Sequence, residues 1–171
     1  AILEVLIVDD GSVQPLIVET AGQRLPTVRV IRIEQSVGPA QARNLGLRQV
    51  STELVSFVDS DCQVTTDWLA PLLGQIADPF VVAAAPRVKA VLPVTGQTPA
   101  SQTPASQARL GQTSTEQTRA GGLTALEQYE LSRSPLDLGK QAGRVQAGTR
   151  VSYVPSAAVL MRTEVIRQAG G

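Results

Sequence analysis

Four carboxylates carry the chemistry open to this sequence. Asp59 and Asp61 stand one residue apart in "FVDSDC", where the apolar run Leu54 to Val58 ends, and Asp9 and Asp10 close another apolar run in "VLIVDDGS". Two carboxylates at i and i+2 in a loop project toward a common point and repel each other unless a cation neutralises them. Oxygen-only ligation of this kind suits a hard dication, Mg²⁺ or Mn²⁺. Such an ion attracts a diphosphate and stabilises a departing anion, because its charge is the largest in the site. A plainer reading is that acids after strands cap the next helix, as Asp67 and Asp9 are placed to do. Two acid pairs at two strand ends, with "GPAQARN" between them, are harder to explain that way.

Composition removes most other chemistries. The chain has no histidine and one cysteine, Cys62, so it has no histidine base or ligand, no internal disulfide and no cysteine zinc cluster. What remains is carboxylates, hydroxyls and cations. Fifteen basic and fifteen acidic residues cancel, which leaves no overall footprint for nucleic acid or an anionic membrane. The apolar stretch from Phe80 is broken by Arg87 and Lys89, well short of the ~20 residues a spanning helix needs. At 171 residues and 43% apolar content the chain suits one globular domain. It opens directly on an apolar strand without an initiator methionine, so the expectation is an internal piece of a longer domain.

The elements that must position the acids follow from alternation of apolar and amphipathic stretches. Ile2 to Val8 reads as a strand buried on both faces, Gln14 to Gln23 as a short helix, and Val28 to Ile33 as a β-branched strand. "GPAQARNLGLRQV" reads as a helix with Pro39 at its first position and Leu45 and Val50 toward a sheet. Leu54 to Val58 is a third strand, Thr66 caps a helix running through Ile76, and Phe80 to Leu92 is a fourth extended run. This order predicts an α/β fold with a mostly parallel sheet flanked by helices, whose ligands lie beyond the carboxyl ends of the strands. All four acids fall on that edge.

From Thr95 to Gly122 the composition turns to Thr, Ser, Gln, Pro, Ala and Gly, with "TPASQ" twice in tandem. Such a tract lacks the apolar residues to offset its ordering entropy and is predicted to be a disordered insertion. The expected organisation is an α/β half over 1–93, the insertion over 94–122, and a further portion over 123–171. That last portion holds a helix at "LTALEQYEL", a turn region, the strand-like "RVSYVPSAAVLM" and a helix at "RTEVIRQAGG".

Taken in order and spacing, "VDDGS", "GPAQARNLG" and "FVDSDC" followed by "WL" resemble the family 2 glycosyltransferases. The likeness covers roughly residues 2–92. Beyond the tract, "YELSRSPLDLG" and "VSYVPSAAVLMRTEVI" are similar to the mycofactocin biosynthesis glycosyltransferases. The resemblance implies a GT-A (Rossmann-like) fold, incomplete at both ends of this chain, and transfer of a hexose, glucose in the narrower subgroup, from a UDP-sugar with inversion. The acceptor would be a peptide-derived or saccharide molecule, the mycofactocin precursor in that subgroup. The setting would be cytoplasmic or peripheral to the membrane.

Carried onto matching positions, the resemblance makes Asp10 the acceptor for the uracil imide and Arg43 and Asn44 supports for the nucleotide and its loop. Asp59 would face the ribose and share the metal site, and Asp61 would ligate the Mg²⁺ or Mn²⁺ on the diphosphate. Two departures stand out: Ser36 occupies a position often held by asparagine, and "PSAAVLMR" replaces a Gly and Asn motif. The general base in the family follows the "GG" where this chain stops, so no catalytic residue is nominated. Family members also place a further strand between the one ending in "VDDGS" and the one ending in "FVDSD". Without it, Ile2 to Val8 would pair directly with Leu54 to Val58 or the domain would be unstable, and the isolated chain is expected not to turn over.

Two rival classes remain at this level. "LEVLIVDDGS" also resembles the first strand of a response-regulator receiver, a Mg²⁺-binding phospho-acceptor, with Asp59 and Lys89 as its later site residues. A receiver requires neither Asp61, Trp68 nor "GPAQARN". A sugar nucleotidyltransferase would need a Gly-rich activating loop that the sequence does not show, and a non-catalytic nucleotide-sugar-binding piece is the other alternative. Trp68 reads as a packing anchor and Cys62 as a small buried hydrophobe. Arg133 and Asp137 read either as contacts to acceptor or donor hexose or as a solvated turn.

Overall fold

A computed structural model of the chain describes residues 2–18, 26–91, 125–134, 136–148 and 151–170. They fall into two compact units, one formed by 1–86 with 155–171 and the other by 87–154. The expected disordered insertion, at 94–122, lies outside the described residues.

The first unit begins with β1 (Glu4–Asp10) and β2 (Thr27–Ile33), paired in parallel with Asp9 opposite Arg32 and Asp10 opposite Ile33. Helix α1 (Pro39–Gln49) crosses onto β1. Pro39 fits its first turn because the missing N–H has no helical partner there. Its buried face is Ala42, Gly46 and Leu47, one helical turn apart, rather than the expected Leu45 and Val50, which are half-buried. Gly46 sets this face: a Cβ there would meet Val8 Cγ2 at 3.1 Å, so the missing side chain lets helix and strand approach closely.

A second sheet has the order β3-β5-β4, built from β3 (Leu54–Val58), β4 (Ala83–Ala84) and β5 (Ala158–Arg162). Both of its pairings are antiparallel, with Phe57 opposite Val159 and Ala84 opposite Leu160. The central strand β5 is the most buried, through Ala158, Val159 and Leu160. Helix α2 (Leu69–Ile76) lays Leu72 and Ile76 against Leu160, with Leu54, Trp68, Leu69, Val81 and Ala84 around them. Trp68 is therefore a packing residue, as its position after the acids suggested.

Arg162 ends β5 and ties three segments together. Its guanidinium donates to the carbonyls of Ile76 (2.8 Å) and Val81 (3.3 Å) and to Glu53 Oε1 (2.9 Å). The short helix α4 (Thr163–Gln168) follows, and Gly170 at φ +100° provides the stop that the sequence signalled. Arg167 of α4 donates to the carbonyls of Leu47 and Val50 at the end of α1.

Several expectations change in detail. Gln14 to Val18 is not helical, because Asp9 takes the Leu16 amide and fixes this stretch as a loop. The remainder of that expected helix lies outside the described residues. Helix α2 starts at Leu69 and not after Thr66. A helix capped at Thr66 would place the ring of Pro71 against the Asp67 carbonyl, and that carbonyl instead accepts from Ala70 at 3.1 Å. Among the described residues of the extended run from Phe80, only Ala83–Ala84 is strand. β1 and β3 belong to different sheets, so direct pairing of Ile2 to Val8 with Leu54 to Val58 does not occur. β1 is accordingly not buried on both faces: Val5 keeps 36% of its surface exposed, and Val58 of β3 keeps 40%.

In the second unit, α3 (Ala125–Arg133) forms where "LTALEQYEL" predicted a helix. The turn after it is closed by Asp137, which accepts from the Gly139 amide (2.9 Å) and holds Arg87 through two bonds of 2.6 Å. This fork holds the Asp137 carboxyl down at about 2 and raises the Arg87 guanidinium. Asp137 is thus an ion-pair residue of its own turn. The side chain of Arg133 lies outside the described residues.

Leu160 stands at the centre of the cluster, so Leu160→Ala is expected to destabilise the fold by about 2 to 5 kcal/mol in urea unfolding. A loss below ~1 kcal/mol would show that β5 and α2 are not the core.

Candidate functional site

The acids are set by backbone register before any side chain is considered. Alternation along a strand puts Asp9 and Asp10 on opposite faces of β1. Asp9 turns inward, its side chain only 1% exposed, and the parallel register sets Arg32 beside it. Arg32 Nη1 donates to Asp9 Oδ2 at 2.7 Å, while the Ser12 and Leu16 amides donate to the same carboxylate at 3.0 and 3.2 Å. Hydrogen bonding from Ser12 is the main reason this carboxyl lies well below the usual range, with Leu16 and Arg32 adding to it against the opposing effect of burial. Asp9 is a structural anion that folds the loop after β1.

Asp10 is half-buried and reaches the loop before α1. Its Oδ1 accepts the Val37 amide (2.8 Å), and its Oδ2 accepts the Ser36 hydroxyl (2.9 Å) and the Gly38 amide (2.9 Å). The Val37 amide contributes most to lowering this carboxyl, so it is an acceptor only. Gly11, at φ +76°, makes the approach possible: a Cβ there would lie 2.8 Å from the Ser36 nitrogen.

Asp59 is placed by β5. Its amide donates to the Ala157 carbonyl at 2.8 Å, extending the β3-β5 ladder by one residue. Its carbonyl accepts the Cys62 amide at 3.0 Å, so Asp59 to Cys62 is a tight turn with Asp61 at its third position. Arg43, one turn into α1, donates from Nη2 to Asp59 Oδ1 at 2.5 Å. Asn44 follows it in α1, half-buried. Asp61 is exposed and forms no ion pair among the described residues. Cys62 is half-buried, and its thiol is raised by burial first and then by Asp61 and Asp59. Both effects favour the protonated thiol.

The structure brings Asp10, Arg43 and Asp59 to one helix, Asp10 at the loop entering α1 and Asp59 on its Arg43. No group of three or more Asp, Glu, Cys or His side chains is gathered for a metal among the described residues. With Asp59 committed to Arg43, Asp61 is the member of the pair without an ion-pair partner among the described residues, its one side-chain neighbour being the neutral Cys62 thiol. One such carboxylate fits a Mg²⁺-type ion, which commonly keeps its waters and binds one or two carboxylates together with substrate phosphates. Arg32 and Ala157 are supports that sequence reading did not single out, and Ser36, noted there only as a departure from asparagine, is a third. The strand register signals Arg32, and the polar position before Gly38 signals Ser36. The only signal for Ala157 is the apolar "AAVLM" run.

Comparison with known proteins gives the family. The family model described as glycosyl transferase family 2 matches residues 1–163. The chain is similar to the pre-mycofactocin glycosyltransferase of Mycobacterium tuberculosis, 35% identical over 169 residues that are 99% of this chain and 30% of that protein. It is also similar to polypeptide N-acetylgalactosaminyltransferase 6 of Homo sapiens, 34% identical over 91 residues, 52% of this chain and 15% of that protein. The chain thus spans under a third of the length of these relatives. No solved structure matches it.

The Asp9 clasp has a pH signature. A carboxyl whose folded pKa is depressed contributes stability that is fully present above its unfolded value, roughly 4, and is lost as pH falls below that toward the folded value. The urea midpoint of Asp9→Asn should lie well below wild type at pH 6, with the gap narrowing as pH falls toward 3. A gap that stays constant with pH would contradict the clasp.

Proposed function

The chain belongs to glycosyl transferase family 2 and has its GT-A fold, and from that premise we propose that the protein transfers a hexose, glucose in our reading, from a UDP-sugar to an acceptor with inversion. The observation that carries this reading is the edge around α1. Asp10 lies on the loop entering the helix, Asp59 on its Arg43, and the exposed Asp61 two residues further on. The likeness to a pre-mycofactocin glycosyltransferase across nearly the whole chain favours a peptide-derived acceptor of that kind over a saccharide.

The residues divide the donor between them. Asp10, a fixed anion with one acceptor position left, takes the single imide N–H of uracil. Arg43 and Asn44 hold the nucleotide side of α1, and Arg43 fixes the direction in which Asp59 meets the ribose. Asp61 would hold Mg²⁺ or Mn²⁺, with Asp59 beside it. When bound, that ion supplies charge neutralisation for the diphosphate as it departs. The chain's own contribution is to orient and to exclude alternatives: Arg43 prevents the two carboxylates from repelling each other at the turn. No described residue is assigned as the base that deprotonates the acceptor.

A phospho-acceptor reading predicts a different edge. It has no use for an exposed Asp61, and it would leave Asp59 open to be phosphorylated, whereas Asp59 carries an arginine.

Removing the Asp61 carboxylate tests the reading. In titration calorimetry on the intact protein, Asp61→Ala is expected to abolish the Mn²⁺-dependent part of UDP binding, and Asp59→Ala to weaken it. Unchanged Mn²⁺-dependent affinity in Asp61→Ala would sink the metal assignment. Stabilisation by beryllium fluoride with Mg²⁺ but not by UDP with Mn²⁺ would favour the phospho-acceptor class.

A further inference from the structure

Ser36 is the position where the loop departs from the asparagine often found there, and the structure gives it a partner. A carboxylate has about four acceptor positions. Three of those on Asp10 are filled: the Val37 amide on Oδ1, the Gly38 amide and the Ser36 hydroxyl on Oδ2. Oδ2 is thereby saturated and Oδ1 keeps one position. Two of the donors are backbone groups that any sequence would supply in this conformation. The third exists only because residue 36 has a side-chain donor. Since Asp10 is ionised, the hydroxyl must donate and the carboxylate accept.

The loop itself does not depend on that hydroxyl. It is seated by the backbone approach of Gly11 to the Ser36 nitrogen and by the Val37 and Gly38 amides. Ser36 is exposed, so its side chain contributes little by packing. What it controls is rotation of the carboxylate and which oxygen stays open.

We propose that Ser36 is a positioning residue that fixes the one open acceptor of Asp10 and so sets the protein's preference for a base with a ring N–H donor over one with a ring acceptor. This rests on the reading of Asp10 as the group that meets the donor base. A fixed anionic acceptor takes the N3–H of uracil and repels the N3 lone pair of cytosine. Without the hydroxyl, Oδ2 reopens, the carboxylate is free to turn, and the direction of the open position is no longer defined.

The experiment compares UDP and CDP, each with Mn²⁺, by calorimetry on the intact protein and its Ser36→Ala, Ser36→Thr and Ser36→Asn variants, with thermal unfolding of each as a fold check. Wild type is expected to prefer UDP. Ser36→Ala should lose about five- to tenfold in UDP affinity, the size of one charge-assisted hydrogen bond at a partly exposed site, with CDP affinity within about twofold of wild type. Ser36→Thr and Ser36→Asn, which keep a donor, should restore the UDP preference. Equal loss for both nucleotides, or no loss for UDP, would overturn the proposal. Wild type that binds both nucleotides alike would overturn the Asp10 reading itself. If Ser36→Ala does not fold, the comparison of Ser36→Thr with Ser36→Val decides in the same way.

Discussion

The Arg43–Asp59 ion pair is the interaction on which the arrangement of the site depends. β1 and β3 carry the two acid motifs but share no hydrogen bonds, so neither sheet fixes the other. Helix α1 does. It packs on β1 at Gly46, enters from the loop that Asp10 holds, and reaches the end of β3 through Arg43. No other ion pair joins α1 to β3 among the described residues. An isolated surface pair contributes little to stability, but this one is half-shielded and short, and its value is in direction. It selects which of two adjacent carboxylates faces the helix.

That selection recurs in both motifs. In "VDDGS" the first acid is consumed by Arg32 and two amides, and the second is turned to the loop before α1. In "FVDSDC" the first acid is consumed by Arg43 and the second is left exposed. Adjacent carboxylates would otherwise raise each other's pKa and weaken binding of anything but a cation. Giving one member of each pair to an arginine leaves a single, directed anion at each strand end. Such anions are suited to one imide N–H at Asp10 and one hard cation at Asp61.

Much of this was legible in the sequence. The strands ending in acids, Pro39 opening α1 and the Gly170 stop all follow from local rules that the structure obeys. The early part of α2 was misread because Thr66 looks like a cap, while Pro71 further along decides where the helix begins. Double-sided burial of β1 was misread because an apolar run reports what a strand is suited to, and Val5, paired with Val28, stays exposed because β2 is the one described strand beside β1. The supports of the site were the least legible. Arg32 meets Asp9 only through the β1-β2 register, Ala157 sets Asp59 from 98 residues further along the chain (157 less 59), and Ser36 acts through a loop whose path Gly11 permits. Each depends on non-local pairing, which composition and periodicity do not encode.

We propose that one edge, organised by α1, holds a nucleoside diphosphate through a hard dication at Asp61. Paramagnetic broadening by Mn²⁺ tests it most directly, read on the backbone amides of the intact protein with and without UDP. With UDP present, the Asp59 to Cys62 turn should broaden first and the Val37 and Gly38 amides after it, while Glu53 and Glu164 at the far end of β3 stay sharp. Broadening centred on Glu53 or Glu164, or broadening of the Asp59 to Cys62 turn that UDP does not strengthen, would rule out a dication-held diphosphate at Asp61.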